Sequence, residues 1–214
     1  MSGFRDRTAA GQALGAMLRA QLPGPPRGDV VVIGLARGGV PVAAEVARAL
    51  SAPLDVCVVR KLGAPSQPEF AFGAIAEDVD GIVEHIDVET VRGLGLHASD
   101  VEKVRRAAAA ELATRAQRYR GDRPFLDVQG KHVVLVDDGL ATGATMRAAI
   151  RSTRRRGAAT VTVAVPVGAP DTVAELRADV DVVCAITPAE FFAVGYHYDD
   201  FSPPTDDEVR ALLS

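Results

Sequence analysis

Tryptophan is absent, and aromatic residues make up only 5% of the 214-residue chain. That scarcity speaks against the rows of stacking side chains that grip single-stranded nucleic acid. Cysteine is nearly absent too. Cys57 and Cys184 are the two, each inside an apolar run and neither with a second Cys or His at metal-ligand spacing. They read as small buried thiols of a protein kept in a reducing compartment. Long apolar runs are missing as well. No stretch approaches the roughly 20 residues needed to span a bilayer, and the opening Met1-Ser-Gly-Phe-Arg-Asp-Arg lacks the apolar region of a secretory signal. A cytoplasmic protein with no membrane partner is expected. Nor does one charge dominate: 24 basic and 28 acidic residues leave a net charge of −4, so no polyanion-binding surface for nucleic acid is implied.

What is there is ordinary for a globular chain. Hydrophobic residues are 48% and charged residues 24%, which excludes a disordered chain. A core of this size needs no disulfide or metal staple. Short β-branched runs alternate with helical patterns. The strong runs are Asp29 to Leu35, Leu54 to Val59, His132 to Val136, Thr160 to Val165 and Val180 to Ile186. Phe72 to Ala76 and Ile82 to Ile86 are weaker. Between them, Leu14/Met17/Leu18, Val42/Val46/Leu50 and Met146/Ala149/Ile150 carry helical spacing. Continuous apolar strands separated by helices predict βαβ units, hence an α/β fold with a mainly parallel twisted sheet of about five strands flanked by helices. A long helix is expected over Ser99 to Arg120, opened by a Ser99/Glu102 capping box, and another from Thr205 with Glu208 to Leu213. The many charges of the long helix read as a solvated face. Arg151, Arg154, Arg155 and Arg156 resemble an anion patch, but they also sit where cations offset a helix dipole. The Pro/Gly-rich segment from Leu22 to Gly28 joins the first helix to the first strand.

The chemistry is concentrated in Val133 to Thr145, VVLVDDGLATGAT. Four apolar residues end in adjacent carboxylates, Asp137 and Asp138. Neighbouring side chains on a strand face opposite ways, so both acids reach one ligand only where the strand ends and the chain turns. Past the carboxyl end of a parallel strand lies the usual ligand crevice of such sheets. Ala141-Thr142-Gly143-Ala144-Thr145 then enters a helix, offering N–H groups and hydroxyls to a phosphate. A second glycine turn, Gly34-Leu-Ala-Arg-Gly-Gly39, follows the first strong strand. It has neither the dinucleotide nor the Walker A spacing, yet its amides and Arg37 can hold an anion. Arg60 and Lys61 end the second strand and point into the same crevice, or else into solvent.

These segments resemble the type I phosphoribosyltransferases, whose signature of apolar strand, acid pair and Thr/Gly-rich phosphate loop is matched by Val134 to Thr145. The resemblance implies an enzyme that transfers the phosphoribosyl group of phosphoribosyl pyrophosphate (PRPP) to a nitrogenous, nucleobase-like acceptor with release of pyrophosphate. It implies that Asp137 and Asp138 read the ribose and that Ala141, Thr142, Gly143, Ala144 and Thr145 cradle the 5′-phosphate. Ala36, Arg37, Gly38 and Gly39 look like the family's pyrophosphate loop, with a cis Ala36–Arg37 peptide. Lys61, with Arg60 second, looks like its pyrophosphate cation. The catalytic set implied is Asp137, Asp138, Lys61 and Arg37. Mg2+ would be the cofactor, held through substrate and water rather than by direct protein ligands, with Asp137 and Asp138 the candidates for any contact from the protein.

Phe4-Arg-Asp-Arg7 and Tyr198-Asp-Asp-Phe201 extend the likeness across nearly the whole chain, toward a bacterial group of phosphoribosyltransferases without an assigned substrate. A single domain over residues 1–214 follows, with a core of about 29–187 and a small hood from the terminal and intervening segments. The irregular Ala64 to Gly73 stands where the family has a flexible loop that closes over substrate. One departure bears on the acceptor. The 6-oxopurine enzymes carry an acidic residue three after the second Asp, and here that residue is Ala141. Glu69 or the C-terminal acids could supply a base. The aromatics at Phe70/Phe72 and Phe191 to Phe201 are candidates for the acceptor wall, with packing the competing role for Tyr196 to Phe201. A non-catalytic PRPP- or nucleotide-binding regulator on the same fold is the alternative, and a homodimer is possible.

Overall fold

The computed structural model describes residues 3–21, 29–65 and 67–214. The apolar runs form strands as expected. β1 (Val30–Ala36), β2 (Leu54–Ala64), β5 (His132–Val136), β6 (Thr160–Val167) and β7 (Asp181–Ile186) lie parallel to one another. β3 (Gln67–Asp78) and β4 (Gly81–Ile86) add two antiparallel strands beyond β2. The result is one sheet of seven strands, in the order β4-β3-β2-β1-β5-β6-β7, rather than about five. The two runs that read as weak in sequence are the two antiparallel additions. Ile82–Ile86 lacks the continuous apolar stretch that burial on both faces requires, whereas Phe72–Ala76 is apolar and buried throughout and read as weak because three of its five residues are Gly or Ala.

Period-two alternation decides which helix each strand residue meets. In β1, Val31, Ile33 and Leu35 pack with Met146, Ala149 and Ile150 of α5 (Ala144–Arg155) and with Val173 and Leu176 of α6 (Pro170–Arg177). Val30 and Val32 face the other way, toward Leu14 and Leu18 of α1 (Arg7–Gln21) and Val42 and Val46 of α2 (Gly39–Leu50). A third cluster joins Val56, Val58, Leu62, Phe72 and Ile75 to Leu112 and Tyr119 of α4 (Ala98–Arg120) and to Val209 of α7 (Asp206–Leu212). A short α3 (Val88–Gly93) precedes α4. Among the described residues, no helix is long and apolar enough to cross a membrane.

Two local expectations need correction. Ala64 to Gly73 is not a loop. It belongs to a β2–β3 hairpin that pairs Ala64 with Gln67 and Leu62 with Gly73, with register shifts on either side of Gly63. Proline is tolerated at such bulges, which is how Pro68 enters a strand. The long helix also starts earlier than Ser99/Glu102. The His97 N–H donates to the Asp100 carboxylate at 3.1 Å, and the helix begins at Ala98. The Thr205/Glu208 box forms as read, with the Thr205 N–H donating to Glu208 at 2.7 Å. The arginine cluster at the end of α5 is spent on local partners: Arg151 on the Glu84 carbonyl, Arg154 on Asp179, Arg155 on Asp78, and Arg156 on the Leu126 carbonyl. The 22–28 connector lies outside the described residues.

Candidate active site

The carboxyl ends of β1, β2 and β5 meet at one edge of the sheet. There a cleft of ≈ 1070 Å³ opens between the strand ends, α4 and the segment before α7. β1 leaves the sheet through Ala36, Arg37 and Gly38, and the Ala36–Arg37 peptide is cis. All three residues line the cleft. Gly39 does not. It is buried as the first residue of α2, where a Cβ would lie 2.6 Å from the Val136 carbonyl oxygen and 2.8 Å from the Asp137 Cα. The loop therefore lies directly against the end of β5.

Asp137 and Asp138 stand where β5 stops, and both line the cleft. The backbone turns between them: the Asp138 N–H donates to Asp137 Oδ1 at 2.9 Å. Desolvation, and then the Asp138 charge, push the Asp137 carboxyl well above the usual carboxylate range, with Lys61 and Arg7 pulling the other way. Burial raises Asp138 too, but here the opposing effect is a direct ion pair with Arg7. Both acids are thus biased toward holding a proton, Asp137 the more strongly.

The phosphate-loop candidates follow. Leu140 is pinned to β6 and the turn after it: its N–H donates to the Val167 carbonyl and its own carbonyl accepts from Ala169, each at 2.8 Å. Thr172 Oγ1 donates to the Ala141 carbonyl at 2.6 Å. Those ties leave the other side of the loop open. The N–H groups of Ala141, Thr142 and Gly143 have no hydrogen-bond acceptor among the described residues. Gly143 caps α5 with φ 75°, a left-handed conformation that glycine adopts without strain. Ala141, Thr142, Gly143 and Thr145 line the cleft, while Ala144 is buried in the first turn of α5.

The basic residues separate on inspection. Arg60 and Lys61 both line the cleft, but Arg60 is ion-paired with Glu111 of α4. Lys61 and Arg37 have no ion-pair partner among the described residues.

The aromatic candidates divide as well. Phe72 is fully buried in the core, and the exposed Phe70 lines a separate hollow with His85 and Arg147. Neither belongs to the cleft. Glu69 falls in β3, but its side chain lies outside the described residues. Phe192, Val194 and Phe201 give the cleft apolar lining, as do Val104 and Ala107 of α4. Tyr196 is 81% exposed and Tyr198 only 8%, so Tyr198 serves packing rather than the wall.

Sequence reasoning gave no role to Arg7. The two terminal motifs pair with each other: the Phe4 N–H donates to the His197 carbonyl at 2.8 Å and the Asp199 N–H to the Phe4 carbonyl at 2.9 Å. This brings Arg7 under the acid pair. Its Nε and Nη2 each lie 2.8 Å from Asp138 Oδ2, and its Nη1 donates to the Ser202 carbonyl at 2.8 Å. The guanidinium lies 4.0 Å from the Phe201 ring centre. Tyr198 donates its hydroxyl to the Asp138 carbonyl at 2.6 Å. The presence of both motifs in one chain was the only signal available. Nothing local says that they touch.

Gly38 offers a test of this packing. A Cβ there would fall 1.9 Å from Asp138 Oδ2, while its φ of −60° suits any residue. Gly38→Ala should therefore displace the Asp138 side chain and cost about 1–3 kcal/mol. Urea unfolding that leaves stability unchanged would count against the contact.

Comparisons with known proteins agree on a family. A family model described as "Phosphoribosyl transferase domain" matches residues 16–200. Proteins from two Mycobacterium tuberculosis strains, MT0597 of CDC 1551 and Rv0571c of H37Rv, are provisionally named as phosphoribosyl transferases. Each is 51% identical over 214 residues, covering 100% of this chain and 47% of its own length. The chain thus spans about half the length of the curated relatives it matches. The crystal structure of TT1426 from Thermus thermophilus is similar with a TM-score of 0.80 at 44% identity, over 99% of this chain and 97% of that one.

Proposed function

Because the chain belongs to the phosphoribosyl transferase domain family, we propose that it binds PRPP and transfers the phosphoribosyl group to a nitrogenous acceptor, releasing pyrophosphate. The observation that carries this reading is a convergence. One cleft holds the acid pair Asp137/Asp138, with three loop amides that have no acceptor and two cations that have no ion-pair partner among the described residues. Each suits a different part of the ligand. The amides of Ala141 to Gly143 and the start of α5 suit a terminal phosphate dianion. Asp137 and Asp138 suit the vicinal ribose hydroxyls. Arg37 and Lys61, across the cleft, suit the pyrophosphate.

The donor set also suits Mg2+. Among the described residues, no group of three or more His, Cys, Asp or Glu could hold a metal by itself. Mg2+ asks for no such cage, since one or two carboxylates plus substrate phosphates and waters suffice. Asp137 and Asp138 would be its contacts, mostly through water and substrate. When bound, the ion would supply charge neutralisation on the pyrophosphate. The protein's own share is placement and electrostatics. The loop amides fix the phosphate end, the acids fix the ribose, and Arg37 and Lys61 stabilise negative charge building on the leaving group. Phe192, Val194 and Phe201 would shield the reacting carbon from water and offer apolar surface to a planar acceptor. No carboxylate stands at Ala141, so this reading assigns no proton acceptor there.

The test is calorimetric binding of PRPP with and without Mg2+, followed by pyrophosphate release with a panel of nucleobases. Arg37→Ala and Lys61→Ala should each weaken PRPP binding about tenfold or more. Wild-type protein that binds no PRPP overturns the reading. Binding without pyrophosphate release from any acceptor points instead to a regulator on the same fold.

A further inference from the structure

We infer that Arg7 is a positioning residue for this site: with Tyr198 it holds Asp138 in place from behind, so that the paired chain ends govern ligand affinity. The inference rests on the reading of the cleft given above.

Asp138 is attached on two sides. Its Oδ2 receives both Nε and Nη2 of Arg7 at 2.8 Å, and its backbone carbonyl accepts the Tyr198 hydroxyl at 2.6 Å. Arg7 is itself anchored, through Nη1 to the Ser202 carbonyl at 2.8 Å and by its guanidinium over Phe201 at 4.0 Å. The side chains of Arg7 and Asp138 are only 10% and 15% exposed, so the pair is poorly screened by solvent. On the far side, the bare Cα of Gly38 leaves the space that Oδ2 occupies, since a Cβ there would fall 1.9 Å from it. With Oδ2 held, Oδ1 is the oxygen left for a ligand hydroxyl.

Charge supports the same role. Two carboxylates at the foot of a cleft repel each other and repel a polyphosphate. Arg7 neutralises one of them from the rear without occupying ligand space, since it does not line the cleft. Lys61 is the cation facing Asp137 from the cleft side. The two cations therefore divide the work, one behind the acids and one in front. Arg7 touches no ligand position, and its effect passes through Asp138.

That dependence gives the test, a double-mutant cycle on PRPP–Mg2+ affinity using Arg7→Gln, Asp138→Asn and the pair. In the wild-type background Arg7→Gln should weaken binding by about tenfold to a hundredfold, the scale of a lost charge-assisted contact. In the Asp138→Asn background the same change should alter affinity by less than about twofold. Equal losses in both backgrounds would mean that Arg7 acts on the fold or directly on the anion, and would overturn the inference. Wild-type protein that binds no PRPP overturns the site reading first, and this inference with it. Should Arg7→Gln not fold, Arg7→Lys, which keeps the charge but loses the two-nitrogen contact to Asp138 Oδ2, runs through the same cycle. A roughly fivefold loss confined to the Asp138 background is expected, and no loss, or the same loss in both, overturns the proposal.

Discussion

Asp137→Asn is expected to make the protein more stable and the site inert. Desolvation and the neighbouring Asp138 charge raise the folded-state pKa of Asp137 well above its ordinary value. A raised folded pKa in an acid means that the folded state binds its proton more tightly than the unfolded state does. Stability is then lost as pH rises through the raised value. Asparagine removes the charge yet can still accept the Asp138 N–H that Asp137 Oδ1 accepts at 2.9 Å. The variant should gain about 1–2 kcal/mol at pH 8, or roughly 2–8 °C in Tm for a chain of this size. At pH 4, where the wild-type carboxyl is protonated, the gain should vanish. Pyrophosphate release should fall by a factor on the order of 100 or more. A thermal scan at the two pH values settles the matter: a Tm at pH 8 equal to or below wild type would remove the claim of electrostatic cost at this position. Stability given up at Asp137 would be stability invested in binding.

Arg120→Met should be the most damaging change away from the cleft. Arg120 lies under the sheet between two acids, with Nη1 2.7 Å from Asp55 and Nη2 3.0 Å from Glu77. None of the three side chains is more than 7% exposed. The acids have further duties: Asp55 accepts the Leu126 N–H at 3.1 Å and Glu77 the Val58 N–H at 2.9 Å. Methionine fills similar volume but strands two buried carboxylates beside each other. The expected cost is about 3–5 kcal/mol, or roughly 6–20 °C in Tm. Burial already pushes Glu77 upward against the pull of Arg120. Without the guanidinium, Glu77 should take up a proton while folded at a pH where the unfolded chain keeps it ionised. The deficit should therefore narrow on going from pH 8 to pH 5. A deficit that stays constant, or widens, would show that lost packing rather than stranded charge carries the cost.

The parallel strands were legible because their apolar runs are continuous, and the acid pair because no buried strand ends in two carboxylates for packing alone. The hairpin was not legible. Pro65, Pro68, Gly63 and Gly73 read as loop punctuation, yet the bulge around Gly63 puts its Cα so close to the facing strand that a Cβ would meet the Pro68 carbonyl at 2.3 Å. Composition signals a break in regularity and cannot distinguish a loop from a bulged pair. The start of α4 slipped because two overlapping capping patterns occur, Ser99/Glu102 and His97/Asp100, and the first is the commoner type. Arg7 escaped for a different reason. Its partner Asp138 is 131 residues away, and helical or strand periodicity carries no information at that separation.

The distance along the chain between the parts of the Asp138 support has a consequence for biosynthesis. Arg7 and the Ser202 carbonyl that anchors it are 195 residues apart. At a translation rate of about 5–20 residues per second, roughly 10–40 s pass between making one and making the other. For that interval Asp138 can be synthesised and its strand laid down without the arrangement that holds its carboxylate. The nascent chain would hold the acid pair before it holds the means to orient it, so that binding competence arrives with the last stretch of the fold.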